Sequence, residues 1–286
     1  MEFFPKLDVV LITLNDRENL PIVIGDLELQ STKYLKSIIV VDGGSSYNLF
    51  EVIKSSKVKI ISSEKGMLKQ TRRGVQLCDG DLVMLAEADH RYTEDFVQSA
   101  LDDYLSQNFD VLAFPIIYSR ENNFLEKGHK TFMQIHYSKR GPSSIGSGTQ
   151  IWNKSKLTEL LQRMESGDTF AFDTERSEVA LRIGTTIGIG NVPVHEDYPI
   201  DFKKFRSRMR NYGNGDYHFY TDNKKYWSFK RKIKSLTHIS LRYFISYPSK
   251  AIALKLWPGS IPYLWLVGFS RYYYWCRAIV FRGELK

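Results

Sequence analysis

The chain has 286 residues, 43% of them hydrophobic, with a net charge of +8. This size allows one large domain or one domain with an appendage, and the composition excludes a disordered chain. From residue 201 onward, 18 Lys and Arg residues face 4 Asp and Glu residues, and four of the five tryptophans also lie there. A basic, aromatic segment is typical of a surface for an anionic partner with an apolar boundary. We expect a membrane interface, with nucleic acid as the alternative.

The first half of the chain alternates apolar runs with helical patterns. The spacing predicts strands over residues 7–14, 37–41, 58–62, 81–86 and 111–118. It predicts helices over residues 18–29, 47–55, 69–77 and 93–105, the last with Thr93 as its N-cap. Such alternation predicts an α/β fold with a parallel, doubly wound sheet.

The second half begins with a predicted polar helix and ends in basic helical segments. Further elements are predicted over residues 121–137, 149–153, 155–164, 173–183 and 187–194, with a small flexible loop at 143–148. After residue 198 the pattern indicates basic amphipathic helices. The apolar run 261–269 is too short to span a bilayer. It is expected to be an in-plane anchor or a hydrophobic hairpin, and the alternative is a helix packed on the catalytic domain.

Two of the predicted strands stop abruptly at carboxylates. Asp42 follows the run 38–41, and Glu87-Ala88-Asp89 follows the run 82–86. In an open α/β sheet, ligands bind beyond the carboxyl ends of the strands. Asp42 there either accepts hydrogen bonds from a nucleobase or ribose, or caps its own turn. The Glu-x-Asp pair either holds a divalent cation with phosphate ligands or is a solvated acidic turn.

Four segments of residues 7–215, in the right order, resemble glycosyltransferase family 2, which has the GT-A fold. They are the opening strand and loop at 9–21, the Val-Val-Asp-Gly-Gly-Ser segment at 40–45, Glu87-Ala88-Asp89 in place of Asp-x-Asp, and Asp173-Thr174-Glu175 in place of Glu-Asp. The resemblance implies a Rossmann-like, mostly parallel sheet flanked by helices. It also implies inverting transfer of a sugar from a nucleotide-diphospho-sugar to an acceptor hydroxyl, dependent on Mn²⁺ or Mg²⁺.

The resemblance also assigns roles to single residues. Asp173 is the expected general base, with Glu175 as the alternative, because Phe172 replaces the family's Glu. The expected metal ligands are Asp89, Glu87 and His195, and Asp89 is the direct ligand because Glu87 is one methylene longer than the usual Asp. The residues expected to bind the donor are Thr13, Asp16, Asp42, Gly66, Arg72, Arg73, Glu87, Arg206 and Arg210. For Arg72 and Arg73 a solvated helix face is the alternative, and for His195 a structural role.

We therefore expect a catalytic domain over residues 1–215 and a helical extension over 216–286 for membrane contact and acceptor handling. The expected partners are the donor, a glycan or lipid-linked acceptor and a membrane surface, without nucleic acid. Cys78 and Cys276 have no Cys/His spacing typical of zinc or disulfides, and the N-terminal residues contain no apolar signal segment. Both observations favour the cytoplasmic face of a membrane. A catalytically inactive nucleotide-sugar binder and a basic nucleic-acid-binding protein are the alternative functions.

Overall fold

The computed structural model describes residues 5–144, 146–165 and 170–280. These residues separate into two compact units. The first takes the described residues within 1–117, 139–168 and 172–197, and the second takes those within 118–138, 169–171 and 198–286.

The first unit is built on an eight-stranded sheet with the order β3-β2-β1-β4-β9-β6-β10-β8. Its strands are β1 (Leu7–Thr13), β2 (Leu35–Asp42), β3 (Val58–Ser62), β4 (Leu82–Ala86), β6 (Val111–Ala113), β8 (Gly141–Ser143), β9 (Gln150–Asn153) and β10 (Ile187–Ile189). The pairs β1–β2, β1–β4, β2–β3 and β6–β10 are parallel. Strand β9 is antiparallel to β4 and β6, and β8 is antiparallel to β10. The predicted α/β fold with a mostly parallel sheet is confirmed.

A second, three-stranded sheet has the order β5-β11-β7. It consists of β5 (His90–Arg91), β7 (Ile116–Tyr118) and β11 (Val194–Glu196). The single strands predicted over 111–118 and 187–194 are therefore wrong, since each divides between the two sheets. Pro115 and Pro193 lie at these divisions, where a residue without a backbone N–H interrupts the ladder.

Helices cover the sheet of the first unit. They are α1 (Leu20–Glu28), α2 (Leu49–Val52), α3 (Met67–Val75), α4 (Phe96–Ser106), α6 (Lys154–Arg163) and α7 (Phe172–Arg182). Helix α4 begins after Asp95 instead of the predicted Thr93. Helix α2 begins after Asn48, whose side chain accepts the N–H of Phe50, and it is shorter than the predicted 47–55 because Ile53 is already extended. The core joins sheet residues such as Val10 and Trp152 to helix residues such as Phe172.

The second unit is helical. It contains α5 (Phe124–His136), α8 (Phe202–Asn223), α9 (Phe229–Ser240), the π-helix Leu241–Ser246, α10 (Tyr247–Ala253) and α11 (Ser260–Val280). The domain boundary predicted at residue 215 lies inside α8, because the helical pattern continues through Gly213 and Gly215. At Gly213 a Cβ would lie 2.7 Å from the carbonyl oxygen of Arg271, so glycine allows α8 and α11 to approach closely. None of the helices in the described part of the chain is both long and apolar enough to cross a membrane.

Candidate active site

The carboxyl ends of β1, β2 and β4 bring several of the predicted residues to one edge of the sheet. Thr13 at the end of β1 pairs with Asp42 at the end of β2, and Leu11 pairs with Ala86 at the end of β4. The Thr13 hydroxyl donates to the Asp16 carboxylate at 3.4 Å. Parallel neighbours end on the same side, so the loops after these three strands form one region.

Asp42 organises the turn that follows its strand. Its carboxylate accepts the backbone N–H of Ser45 at 3.0 Å and the Ser45 hydroxyl at 2.7 Å. This is the capping role foreseen as the alternative for Asp42. An ionised carboxylate has about four acceptor positions, so the same group has capacity for a ligand.

Tyr47 lies beside these carboxylates and was not foreseen from the sequence. Burial, followed by the charge of Asp16 and then that of Asp42, raises the pKa of the Tyr47 hydroxyl. This hydroxyl is buried, and the Ser45 side chain is its nearest polar partner. The Arg17 guanidinium lies 5.6 Å from the centre of the Tyr47 ring. Tyr47 therefore adds both a ring and a hydroxyl to the site.

Gln70 on α3 ties the ends of β1 and β2 together. Its side-chain amide donates to the carbonyl oxygens of Thr13 and Val41, both at 2.9 Å, and the residue is 4% exposed. At Gly43 a Cβ would lie 2.8 Å from the Gln70 Oε1, so only glycine leaves room for this side chain. No motif marks Gln70 in the sequence, although a polar residue on the buried face of a helix is a usable signal.

Glu87 and Asp89 lie in the turn between β4 and β5. Burial, followed by the charges of Asp173 and Asp89, raises the pKa of Glu87 to about 8. Burial and the charge of Asp89 likewise raise the pKa of Asp16. One charge shifts the pKa of another group in this way only when the two groups are near each other. The carboxylates of Asp16, Glu87, Asp89 and Asp173 therefore lie in one region of the structure. Glu87 and Asp89 are both partly exposed, so this segment is accessible to a ligand.

The carboxylates suit a hard cation that also binds substrate. Across residues 5–144, 146–165 and 170–280, no three His, Cys, Asp or Glu side chains are grouped to hold a metal ion. Glu87 and Asp89 are thus not joined by the predicted third ligand, His195. Two carboxylates supply the oxygen ligands that Mg²⁺ or Mn²⁺ needs when substrate phosphates complete its shell. The carboxylate oxygens of Glu87 and Asp89 are therefore suitable ligands for such a cation.

His90 follows Asp89 directly, and its buried ring is bonded to other side chains of the protein. Its Nδ1 lies 2.8 Å from the Thr149 hydroxyl, its Nε2 lies 3.4 Å from Glu196, and the ring is 2% exposed. Burial opposes its charge, but the hydrogen bond to Glu196 and the charge of Asp89 raise the pKa of His90 to about 9. A protonated imidazole has no lone pair for a metal. His195 precedes Glu196 on β11, and adjacent strand residues face opposite sides.

Asp173 lies in the first turn of α7, and its carboxylate accepts hydrogen bonds from two groups. Arg176 donates to one carboxylate oxygen at 2.6 Å, and the backbone N–H of Gly148 approaches the other at 3.5 Å. The Asp173 side chain is 31% exposed, whereas Glu175 is 3% exposed. Asp173 is therefore the more accessible of the two candidate bases.

Arg176 packs against Phe172, the residue that stands where the resembled family has Glu. The Arg176 side chain is 3% exposed, and its guanidinium lies 5.0 Å from the Phe172 ring and 6.0 Å from the Trp152 ring. Its Nε has no hydrogen-bond partner among the described residues. The aromatic rings hold this buried cation against Asp173, an arrangement that a Glu at position 172 would replace with a second carboxylate.

The remaining predicted residues lie at two helices, α3 and α8. Gly66, with φ of 140°, precedes α3, and Arg73 is exposed on that helix. The Arg72 guanidinium donates to the carbonyl oxygens of Leu161 and Met164, each at 2.7 Å from Nη2, so it stabilises the end of α6. Arg206 and Arg210 belong to the second unit, where both are exposed on α8.

Comparisons with known proteins agree with this architecture. A family model described as Glycosyl transferase family 2 matches residues 8–157. The mannosyltransferase PcManGT from Pyrobaculum calidifontis, in complex with GDP-Man and Mn²⁺, is similar with a TM-score of 0.64 and 14% identity, over 99% of this chain and 89% of that one. S. aureus TarS 1–349 in complex with UDP-GlcNAc is similar with a TM-score of 0.54 and 13% identity, over 92% and 79%. S. aureus TarS 1–349 in complex with UDP is similar with a TM-score of 0.56 and 12% identity, over 98% of this chain and 93% of that one.

Proposed function

The chain belongs to glycosyl transferase family 2 and is a glycosyltransferase, and we propose that it transfers a sugar from a nucleotide-diphospho-sugar to an acceptor hydroxyl. The observation that carries this proposal is the cluster of Asp16, Glu87, Asp89 and Asp173, whose charges act on one another beside the ends of β1 and β4. Two proteins of similar fold hold nucleotide-sugars, UDP-GlcNAc in one and GDP-Man with Mn²⁺ in the other.

The donor's nucleoside is proposed to bind at the ends of β1 and β2. Asp42 and Asp16 accept hydrogen bonds from base or ribose, and the Tyr47 hydroxyl beside them supplies a further polar contact. Thr13 contributes through its backbone, which Gln70 fixes. At the start of α3, Gly66 lets the chain approach the phosphates and Arg73 pairs with them. Arg72 is not assigned to the donor, because its guanidinium is directed to backbone carbonyls.

Asp89 and Glu87 are the residues that would hold Mn²⁺ or Mg²⁺. When bound, the cation supplies a Lewis acid that neutralises the charge of the departing diphosphate. Glu87 with its raised pKa must lose its proton to act as a ligand. The buried His90 cation lies next to this pair and favours the ionised form of Glu87.

Asp173 is the proposed general base. It accepts the proton of the acceptor hydroxyl while that oxygen attacks the sugar carbon from the face opposite the diphosphate, which inverts the anomeric configuration. Arg176 and the Gly148 N–H fix the orientation of its carboxylate. Since both Asp89 and Asp173 are present in the cluster, we favour transfer over an inactive nucleotide-sugar binder.

The acceptor is proposed to be a glycan or lipid-linked molecule at the cytoplasmic face of a membrane. The support is the net charge of +14 from residue 201 onward, which attracts anionic lipid headgroups. The same charge permits nucleic acid, so binding to duplex and single-stranded nucleic acid across a salt series is the test of that alternative.

A donor screen tests the proposed function. Purified protein is incubated with UDP-, GDP-, dTDP- and CDP-sugars, with Mn²⁺, Mg²⁺ or EDTA, and released nucleotide is measured. We expect one donor to be hydrolysed slowly with the cation and not with EDTA. Asp89→Ala should abolish that hydrolysis without changing the circular dichroism spectrum. Donor binding without cation-dependent hydrolysis or transfer would support the inactive binder instead.

A further inference from the structure

A groove in the second unit consists of residues that the proposed chemistry does not require. It lies between α8 and α11 and has a volume of about 330 Å³. Apart from Arg206 and Ser270, every lining side chain is aromatic or aliphatic or a methionine. Small-molecule sites typically have volumes of about 300–1,000 Å³ and mostly apolar walls with a few polar groups. The groove thus has the size and chemistry of a site for one narrow apolar ligand.

Large apolar side chains at this groove are exposed to water. Phe202 is 67% exposed, Phe269 is 65% exposed and Tyr273 is 60% exposed. Trp265, 45% exposed, continues the row, so residues 265, 269 and 273 form one stripe on α11 at a spacing of four. A contiguous exposed apolar surface is uncommon unless something binds it.

The polar side of the groove is cationic. Arg206 lines the groove. Its Nε donates to the Tyr274 hydroxyl at 3.2 Å, which uses one of the five N–H groups of the guanidinium. Arg210 is one turn further on the same helix and Lys203 is three residues before Arg206, and both are exposed. No acidic side chain lines the groove. The ligand that complements this surface has an anionic head and an apolar body.

We propose that this groove binds the hydrocarbon chain of a phosphate-headed lipid, with the phosphate on Arg206. A phosphate monoester carries a charge between −1 and −2 at neutral pH, which suits three cations within one or two turns. Removing chain and aromatic surface from water supplies the remaining affinity. This is a different role from the diphosphate contact that the resemblance implies for Arg206. Identifying the lipid as the carrier of the acceptor rests on the proposed function, whereas the binding does not.

Dodecyl phosphate, used below its micellar concentration, is the probe. Its binding to the full chain is measured by titration calorimetry beside dodecyl maltoside, which has the same chain and a neutral head. We expect the phosphate to bind about tenfold or more tightly than the maltoside, the scale of a hydrogen bond to a charged group. Arg206→Gln should remove that preference. Ser270→Trp, which fills the groove, should abolish binding of both probes.

Two matched variants control for general surface effects. Arg163→Gln removes an exposed arginine of α6, and Phe229→Ser removes a phenylalanine of α9 that is 79% exposed. Both should bind dodecyl phosphate as the wild type does. If Ser270→Trp disturbs folding, Phe269→Ser removes an exposed ring of the groove and should weaken binding of both probes alike.

The inference is overturned if the groove variants bind dodecyl phosphate as tightly as the controls do. It is also overturned if Arg206→Gln weakens binding of the nucleotide-sugar and leaves dodecyl phosphate binding unchanged. Phe269→Ser should retain cation-dependent donor hydrolysis. Lipid binding without any donor hydrolysis would refute the proposed function alone, and hydrolysis without lipid binding would refute this inference alone.

Discussion

At the scale of single residues, the two candidate bases differ in access to a ligand. The Asp173 side chain is 31% exposed and Glu175 is 3% exposed. Asp173→Asn keeps the shape of the side chain and removes its basicity. We expect it to bind donor normally and to lose roughly 10²-fold or more in turnover. Single-turnover kinetics and donor titration separate these two effects. A normal Asp173→Asn enzyme with an inactive Glu175→Gln enzyme would transfer the role to Glu175.

The raised pKa of Glu87 predicts how stability depends on pH. Between its ordinary value of 4.5 and about 8, the folded metal-free protein binds more protons at Glu87 than the unfolded chain does. Stability from this group is therefore present below the lower value and is lost as the pH rises towards the upper one. We expect the Tm of the metal-free protein to fall over this range, and to fall less in Glu87→Gln.

Mn²⁺ should reverse this loss, because a bound cation replaces the proton on Glu87. The stabilisation by Mn²⁺, measured as the rise in Tm at fixed metal concentration, should grow from pH 6 to pH 8. Asp89→Ala serves as the metal-binding control and should show little rise at any pH. A metal effect that is independent of pH would show that Glu87 is not a ligand.

At the scale of elements, the ends of β1 and β2 depend on one side chain of α3. Gln70→Ala removes two buried hydrogen bonds, to the carbonyl oxygens of Thr13 and Val41, although the Thr13 oxygen retains its bond from the Gly43 N–H. We expect a loss of about 1–3 kcal/mol in the free energy of unfolding. Gly43→Ala should also destabilise, because its Cβ would displace Gln70. Urea denaturation measures both changes.

Gly25 is the matched control for the Gly43 substitution. It lies in α1, and a Cβ there meets no atom within 4 Å. Gly25→Ala should therefore be neutral or stabilise by about 0.5–1 kcal/mol through helix propensity. Equal effects of the two substitutions would contradict a specific role for the Gly43 and Gln70 contact.

At the scale of the whole molecule, the uneven charge makes membrane association measurable. Full-length protein should sediment with anionic vesicles at low salt and remain in solution with neutral ones or at high salt. Tryptophan side chains favour the boundary between headgroups and acyl chains. Trp257 is not free to lie there, since it packs against Phe124 at 5.5 Å between ring centres. Trp265 is 45% exposed, so a blue shift on vesicle binding should disappear in Trp265→Phe. Sedimentation that is absent under all conditions would contradict a membrane-surface role.

The sequence predicts the strand ends well because apolar runs and the acids that stop them are adjacent in the chain. Asp42, Glu87 and Asp89 are found in this way. Arg72 is misassigned because its carbonyl partners Leu161 and Met164 lie about 90 residues away, at a distance that no local pattern encodes. Gln70 is missed for the same reason, since its contacts are also long-range. Tertiary contacts of this kind decide whether a polar side chain serves the site or the scaffold.

The antiparallel strand β9 should couple the motions of two segments of the site. Its first residue, Gln150, pairs with Leu85 near the end of β4, so the segment that presents the Gly148 N–H to Asp173 emerges beside the turn that carries Glu87 and Asp89. Local opening of such neighbouring segments is cooperative, and amide hydrogen exchange reports its free energy. A cation that orders the β4 turn should therefore also protect the amides of Gly146 and Gly148. Chelation should accelerate their exchange, while amides of helix α1 exchange at an unchanged rate.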